Sequence, residues 1–202
     1  MSLRYWRWSD PRLQLKSEIY NLKIFDLATL FTIGHSTRTL YELLKVLQAH
    51  SIATLADIRS FPMSRRLPHF NRESLEKTLP GAGIRYVWMK ELGGRRKSIR
   101  EDSPNIALRN PSFRNYADYM LTAEFQRAAA ELVTIGEQSR TAYMCAERVY
   151  FHCHRMLASD WLTNHGHEVF HIDGTGPTKP HKLHPEARVM EGELIYRGDL
   201  LL

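Results

Sequence analysis

The segment "LFTIGHSTRTLYELLKVLQAH" (residues 30–50) contains a complete strand-to-helix unit. Its first part, "LFTIGH" (30–35), is a short apolar run closed by Gly34, the pattern of a buried strand. Leu40, Leu43, Leu44 and Leu47 then recur on one helical stripe. Thr39 followed three residues later by Glu42 is a capping box that fixes where this helix begins.

The same rhythm continues along the chain. "IATLADIRS" (52–60) reads as a second strand, and "NRESLEKTLPGAG" (71–83) as a short helix with Asn71 at its N-cap. A third strand, "IRYVWM" (84–89), leads into a polar loop over 92–111. "PSFRNYADYML" (111–121) reads as a helix. The next helix starts near Thr122, carries Phe125, Ala129, Leu132 and Val133 on its buried stripe, and is expected to end at Gly136. "TAYMCAE" (141–147), "CHRMLASDWLTNHG" (153–166) and "EVFHID" (168–173) supply a strand, a helix and a strand. "ARVMEGELIYR" (187–197) reads as a hairpin with a Glu-Gly turn. Strands alternating with helices imply crossover connections. The expected fold is therefore an α/β three-layer sandwich with a mostly parallel central sheet of about five strands, plus a small C-terminal hairpin. Residues 1–29 read as an extension and 30–202 as a single domain.

With 43% hydrophobic and 25% charged residues, the chain has the balance of a globular protein able to build its own core. No apolar run approaches the roughly 18–20 residues that cross a bilayer, so a membrane partner is not expected. The first twenty residues are broken by charges and do not read as a secretory signal. Two cysteines without such a signal point to a reduced, cytoplasmic protein. A net charge of +6 leans toward anionic partners. The basic residues cluster in "RSFPMSRR" (59–66) and "GGRRKSIR" (93–100). Partners are expected to be an anionic small molecule or a nucleic acid, with a homodimer left open.

Ligands of an open parallel sheet sit beyond the carboxyl ends of its strands. There the chain delivers Gly34, His35 and Ser36; Asp57, Arg59, Ser64, Arg65 and Arg66; Gly93 and Gly94; Cys145 and Glu147; His171 and Asp173. Cys153, His154 and Arg155 join them from the start of a helix, where free amides favour an anion and lower a thiol's pKa. Ordinary structural roles stay open for each: His35 as a cap, Asp57 as a partner of loop amides, Cys145 and Cys153 as packed thiols. "YMCAERVYFHCHR" (143–155) is not expected to hold a metal, because its cysteines are widely spaced and adjacent residues rarely face one ion. No cofactor is expected. A phosphatase loop is excluded, since Phe151 and Ser159 stand where its arginine belongs.

Five ordered segments, "TIGHS", "DIRSFPMSRRLPHF", "GIRYVWMKELGGRR", "FRNYADYM" and "CAERVYFHCHR", resemble the domain of unknown function 488 family over roughly residues 31–173. "HPEARVMEGELIY" fits the family's tail. The resemblance implies an intracellular α/β protein, expected to be an enzyme, and supplies no reaction. Its signature positions fall on Gly34, His35, Ser36, Asp57, Arg59, Pro62, Ser64, Arg65, Leu92, Gly93, Gly94, Cys145, Glu147, Cys153, His154 and Arg155. Tyr150 stands where the family usually has proline.

Three functional readings follow. The leading one is an enzyme on a phosphorylated small molecule, nucleotide or nucleic acid. In it Asp57, Glu147 or His35 serves as acid or base and Cys153 as nucleophile. Arg59, Ser64, Arg65, His154, Arg155, Ser36 and Gly94 hold the anion. The second is a non-catalytic nucleic-acid-binding module using the basic loops and the Tyr5, Trp6 and Trp8 extension. The third is a thiol-dependent sulfur or redox protein.

Overall fold

The computed structural model describes residues 27–197. The expected extension over 1–29 therefore lies, through residue 26, outside the described residues. The elements in chain order are β1 (Thr29–Gly34), α1 (Leu40–Ala49), β2 (Thr54–Asp57), α2 (Arg72–Thr78), β3 (Arg85–Trp88), α3 (Pro111–Met120), α4 (Ala123–Gln138), β4 (Thr141–Cys145), α5 (Arg155–Asn164), β5 (Glu168–Ile172), β6 (Lys179–Pro180), β7 (Ala187–Met190) and β8 (Glu193–Tyr196). Six strands form one sheet in the order β3-β2-β4-β1-β5-β6. All its neighbours are parallel except β5 and β6. β7 and β8 form the separate antiparallel hairpin, turning at Glu191 and Gly192, both with positive φ (53° and 85°).

Successive strand residues face opposite sides, and this period of two splits the core in half. Leu30, Ala56, Tyr143 and Val169 pack under α3, α4 and α5. Phe31, Leu55, Ala142 and Met144 pack under α1 and α2. The capping box at Thr39 and Glu42 is present, with the Thr39 amide on the Glu42 carboxylate at 2.7 Å.

One local expectation is corrected and one is refined. Gly136 does not end α4, which runs on to Gln138. Instead it lies against the sheet, where a Cβ would come within 2.6 Å of the Leu30 Cδ2. Asn71 holds the N-cap position of α2, but its side chain caps nothing and accepts the Ser64 amide at 2.5 Å. A side-chain acceptor went to the loop carrying the basic cluster rather than to its own helix.

The connection leaving β1 runs to α1 on one face, whereas the one leaving β4 runs to α5 on the other. β1 and β4 are neighbours, with Gly34 opposite Cys145. Their diverging connections open the crevice in which α/β sheets bind ligands. Gly34 permits a very close approach there: a Cβ would lie 1.8 Å from the Glu147 carbonyl oxygen. Both partners are backbone, so neither can swing away.

A buried polar network ties the C-terminal segment to this frame. His181 Nε2 donates to Asp160 Oδ1 at 2.8 Å, and His171 Nε2 donates to His181 Nδ1 at 2.9 Å. Tyr196 donates its hydroxyl to the other Asp160 oxygen at 2.9 Å. Tyr150 stacks on His171 with ring centroids 3.4 Å apart. Burial, then the neighbouring His181 and Arg155, holds His171 down to about 3.

Two predictions follow from this frame. Gly34→Ala is expected to cost about 3 kcal/mol or more, or to abolish soluble expression; a denaturation midpoint near wild type would contradict the packing described. His171 is neutral when folded, so the unfolded chain binds the extra proton and stability falls with acidity. The loss sets in as pH drops through about 6.5 and grows toward 3, to on the order of 2–4 kcal/mol. His171→Gln, which keeps the donor to His181, is expected to flatten that slope in urea melts across this range.

Candidate functional site

β4 ends at Cys145, and the chain crosses to α5 through a 3-10 turn over Tyr150–His152. Cys153 is extended (φ −135°, ψ 151°), whereas His154 is already helical (φ −55°, ψ −17°). This change of backbone conformation turns two consecutive side chains toward one point. His154 Nδ1 lies 3.5 Å from Cys153 Sγ and 3.8 Å from Cys145 Sγ. The three donor atoms all lie within 4.8 Å of one another. Cys145, Cys153 and His154 are 8%, 3% and 9% exposed, so the cluster sits just beneath the surface.

His154 Nε2 donates to the Ile58 carbonyl at 3.1 Å. Its hydrogen is thereby placed on Nε2, leaving the Nδ1 lone pair facing the sulfurs. Tyr116 packs edge-on against the ring at 5.1 Å. Gly94 covers it from the other loop, where a Cβ would come within 2.4 Å of Nδ1. That loop is anchored from α3: Tyr116 donates its hydroxyl to the Leu92 carbonyl at 2.9 Å, and Tyr119 to the Glu91 carbonyl at 2.8 Å.

The two thiols are driven in opposite directions. Hydrogen bonding from Cys145, reinforced by His154 and Arg155 against the effect of burial, holds the Cys153 thiol well below its usual range. The same hydrogen bond, then burial, pushes Cys145 up.

Asp57, Arg59 and His35 form a second buried group, on the α1 and α2 side of the sheet. Arg59 Nε donates to Asp57 Oδ1 at 2.8 Å, Nη2 to the Phe70 carbonyl at 2.8 Å, and Nη1 to His35 Nε2 at 3.2 Å. Tyr86 adds a hydroxyl on Asp57 Oδ2 at 2.7 Å. Burial works against the Arg59 charge, but Asp57 more than offsets it and raises the guanidinium above its usual value. Burial, then Arg59, lowers His35 to about 4; its Nδ1 donates to the Ser36 carbonyl at 2.9 Å. Ser36 itself has a positive φ of 54° and donates its amide to the Ala146 carbonyl at 2.8 Å.

The expected side chains thus gather at one edge, but not around one anion. Arg59 and His154 belong to opposite faces, joined only through the Ile58 backbone, because residues 57 and 59 point one way and 58 the other. Arg155 is 1% exposed. Its Nη1 donates to Thr32 Oγ1 at 2.8 Å, and its Nη2 to the carbonyls of Glu147 and Arg148. Both guanidinium groups hold chain together instead of opening a clamp. Ser64 likewise turns inward, its Oγ accepting the Leu67 amide at 3.0 Å. Arg65 and Arg66 remain exposed, as does Glu147. Arg95 is exposed beside Gly94, its amide on Ser60 Oγ at 3.0 Å and its guanidinium 5.8 Å from the Phe61 ring.

Three contributions have no sequence signal of their own: the Ile58 carbonyl, the Tyr116 edge and the Tyr86 hydroxyl. Gly94 stood among the expected residues as an anion contact, whereas its place is against the imidazole. A cavity of about 610 Å³ lies apart from this site, lined by Leu108, Phe113, Tyr150, Phe151, Lys182 and His184 among others. None of the expected site residues lines it. No helix among the described residues is long and apolar enough to cross a membrane.

No curated protein and no solved structure is found to match the chain. A family model does match, over residues 39–162, more than half of the sequence and the span that carries Cys145, Cys153 and His154 and the Asp57–Arg59 pair. The chain therefore belongs to the family described as domain of unknown function DUF488.

Proposed function

We propose that this protein is an enzyme acting on an anionic substrate at the carboxyl edge of its sheet, with Cys145, Cys153 and His154 as the reactive centre. The substrate class is a phosphorylated small molecule, a nucleotide or a nucleic acid, and the reaction a hydrolysis or group transfer. The observation that carries this reading is the meeting of two thiols and an oriented imidazole where the connections of β1 and β4 diverge. Evolution of a merely structural core gives no reason to collect three such groups at that crevice.

Arg95 and, in the neighbouring loop, Arg65 and Arg66 supply the exposed positive charge. Exposed Phe61 and Met63 lie in the same loop as Arg65 and Arg66, adding apolar surface for a base or sugar. Glu147 is an exposed carboxylate of the edge, available as acid or base. Asp57 is fully buried against Arg59, so its part is to hold the frame rather than to exchange protons with substrate.

The assignment separates these residues experimentally. In assays on phosphate esters, nucleotides and short oligonucleotides, Cys153→Ser is expected to lower kcat/KM by about 100-fold or more. Arg95→Ala is expected to raise KM roughly tenfold with kcat little changed. Full activity of Cys153→Ser on a substrate that wild type turns over removes the thiols from the reaction. Salt-sensitive oligonucleotide binding without any turnover favours the non-catalytic module instead.

Asp57→Asn leaves the Arg59 charge buried and unpaired. It is expected to cost about 3–5 kcal/mol in a urea melt. A stable Asp57→Asn protein that has lost only turnover assigns Asp57 to catalysis.

A further inference from the structure

We propose that Cys145, Cys153 and His154 form a binding site for a thiophilic divalent cation of the zinc class. This inference rests on the reading above that the cluster is the reactive centre, and it names what occupies that centre. The first argument is metrical. Zinc–sulfur bonds of about 2.3 Å and zinc–nitrogen bonds of about 2.0–2.1 Å, set at a tetrahedral angle, put sulfur and nitrogen about 3.6 Å apart. The two Sγ–Nδ1 distances are 3.5 and 3.8 Å. Two edges of the donor triangle therefore already have the length a bound ion requires, and the third is within 4.8 Å.

The second argument concerns what surrounds the donors. A ligating imidazole characteristically gives its other N–H to a main-chain carbonyl or carboxylate, which fixes the tautomer and the ring plane. His154 does so through Nε2 and Ile58, leaving Nδ1 for the ion. The Ile58 carbonyl is itself held between Asp57 and Arg59, whose ion pair locks the end of β2. The buried pair on the far face of the sheet thus acquires a purpose. It stiffens the support of the imidazole.

The third argument is chemical. Two sulfurs and one imidazole nitrogen are a donor set that selects zinc-like ions over magnesium or calcium, which prefer oxygen. Three protein ligands leave a fourth position, the mark of a site where water or substrate can bind. Loading releases whatever thiol protons the two cysteines still carry and forms two metal–thiolate bonds and one metal–imidazole bond. Nothing is oxidised. A disulfide would consume both sulfurs and give the oriented imidazole no role.

The 202-residue chain, reduced and handled without oxygen, is to be titrated with Co²⁺ alone and then with Zn²⁺. One equivalent of Co²⁺ is expected to give sulfur-to-cobalt charge-transfer absorption together with tetrahedral visible bands, and Zn²⁺ is expected to erase both. Cys145→Ser and Cys153→Ser are each expected to weaken the charge-transfer band. His154→Gln is expected to weaken affinity roughly tenfold or more. Wild-type protein with both thiols free and no charge-transfer band overturns the proposal, whether or not any variant folds. So does a band that survives both cysteine substitutions. Neither result touches the reading of the reactive centre, which is judged separately by the turnover of wild type and Cys153→Ser.

Discussion

One hydrogen bond organises the carboxyl edge of this sheet: the His154 Nε2–H on the Ile58 carbonyl, at 3.1 Å. It joins the first residues before α5 to the residue that follows β2, across 96 positions of sequence. Without it the imidazole could rotate, and Nδ1 would have no fixed relation to either sulfur. The bond in turn needs a rigid carbonyl. The Ile58 amide donates to the Met144 carbonyl at 3.0 Å, continuing the β2–β4 pairing, and the Asp57–Arg59 pair grips the chain on both sides of it.

This arrangement explains why so many charged groups are buried at one edge without forming an open charged pocket. Arg59 and Arg155 are each nearly inaccessible and each spend their donors on neighbouring chain. Burying a guanidinium is costly unless it is paired or fully bonded. Arg59 has a carboxylate; Arg155 has two carbonyls and a hydroxyl on its Nη atoms, while its buried Nε is without a hydrogen-bond partner among the described residues. Their work is mechanical, stitching the strand ends so that small reactive groups keep their geometry. The positive charge available to a partner is left to the outer loops, at Arg65, Arg66 and Arg95.

Much of this was legible in the chain because the relevant signals are local. The apolar run ending at Gly34, the capping box at Thr39 and the Glu-Gly hairpin each specify geometry within a few residues. The gathering of polar residues at strand ends was legible too, since a parallel sheet exposes one edge to ligands. Two kinds of information were not. Which face each polar residue takes depends on where a strand stops, and a single residue inverts it; hence Arg59 and His154 were expected around one anion although they lie on opposite faces. Main-chain partners are also silent in a sequence. Nothing in "DIRS" announces that the Ile58 carbonyl will orient a histidine, and Gly94 gives no sign that it must lie flat on that ring. The same silence concealed that adjacent Cys153 and His154 share a point, which rests on a change of backbone conformation between them.

The central claim is that two sulfurs and one imidazole nitrogen converge on a single point at the carboxyl edge. X-ray absorption at the zinc edge of the zinc-loaded protein tests it most directly. The account predicts two sulfur neighbours at about 2.3 Å and a nitrogen near 2.0 Å. A first shell made only of nitrogen and oxygen would contradict it.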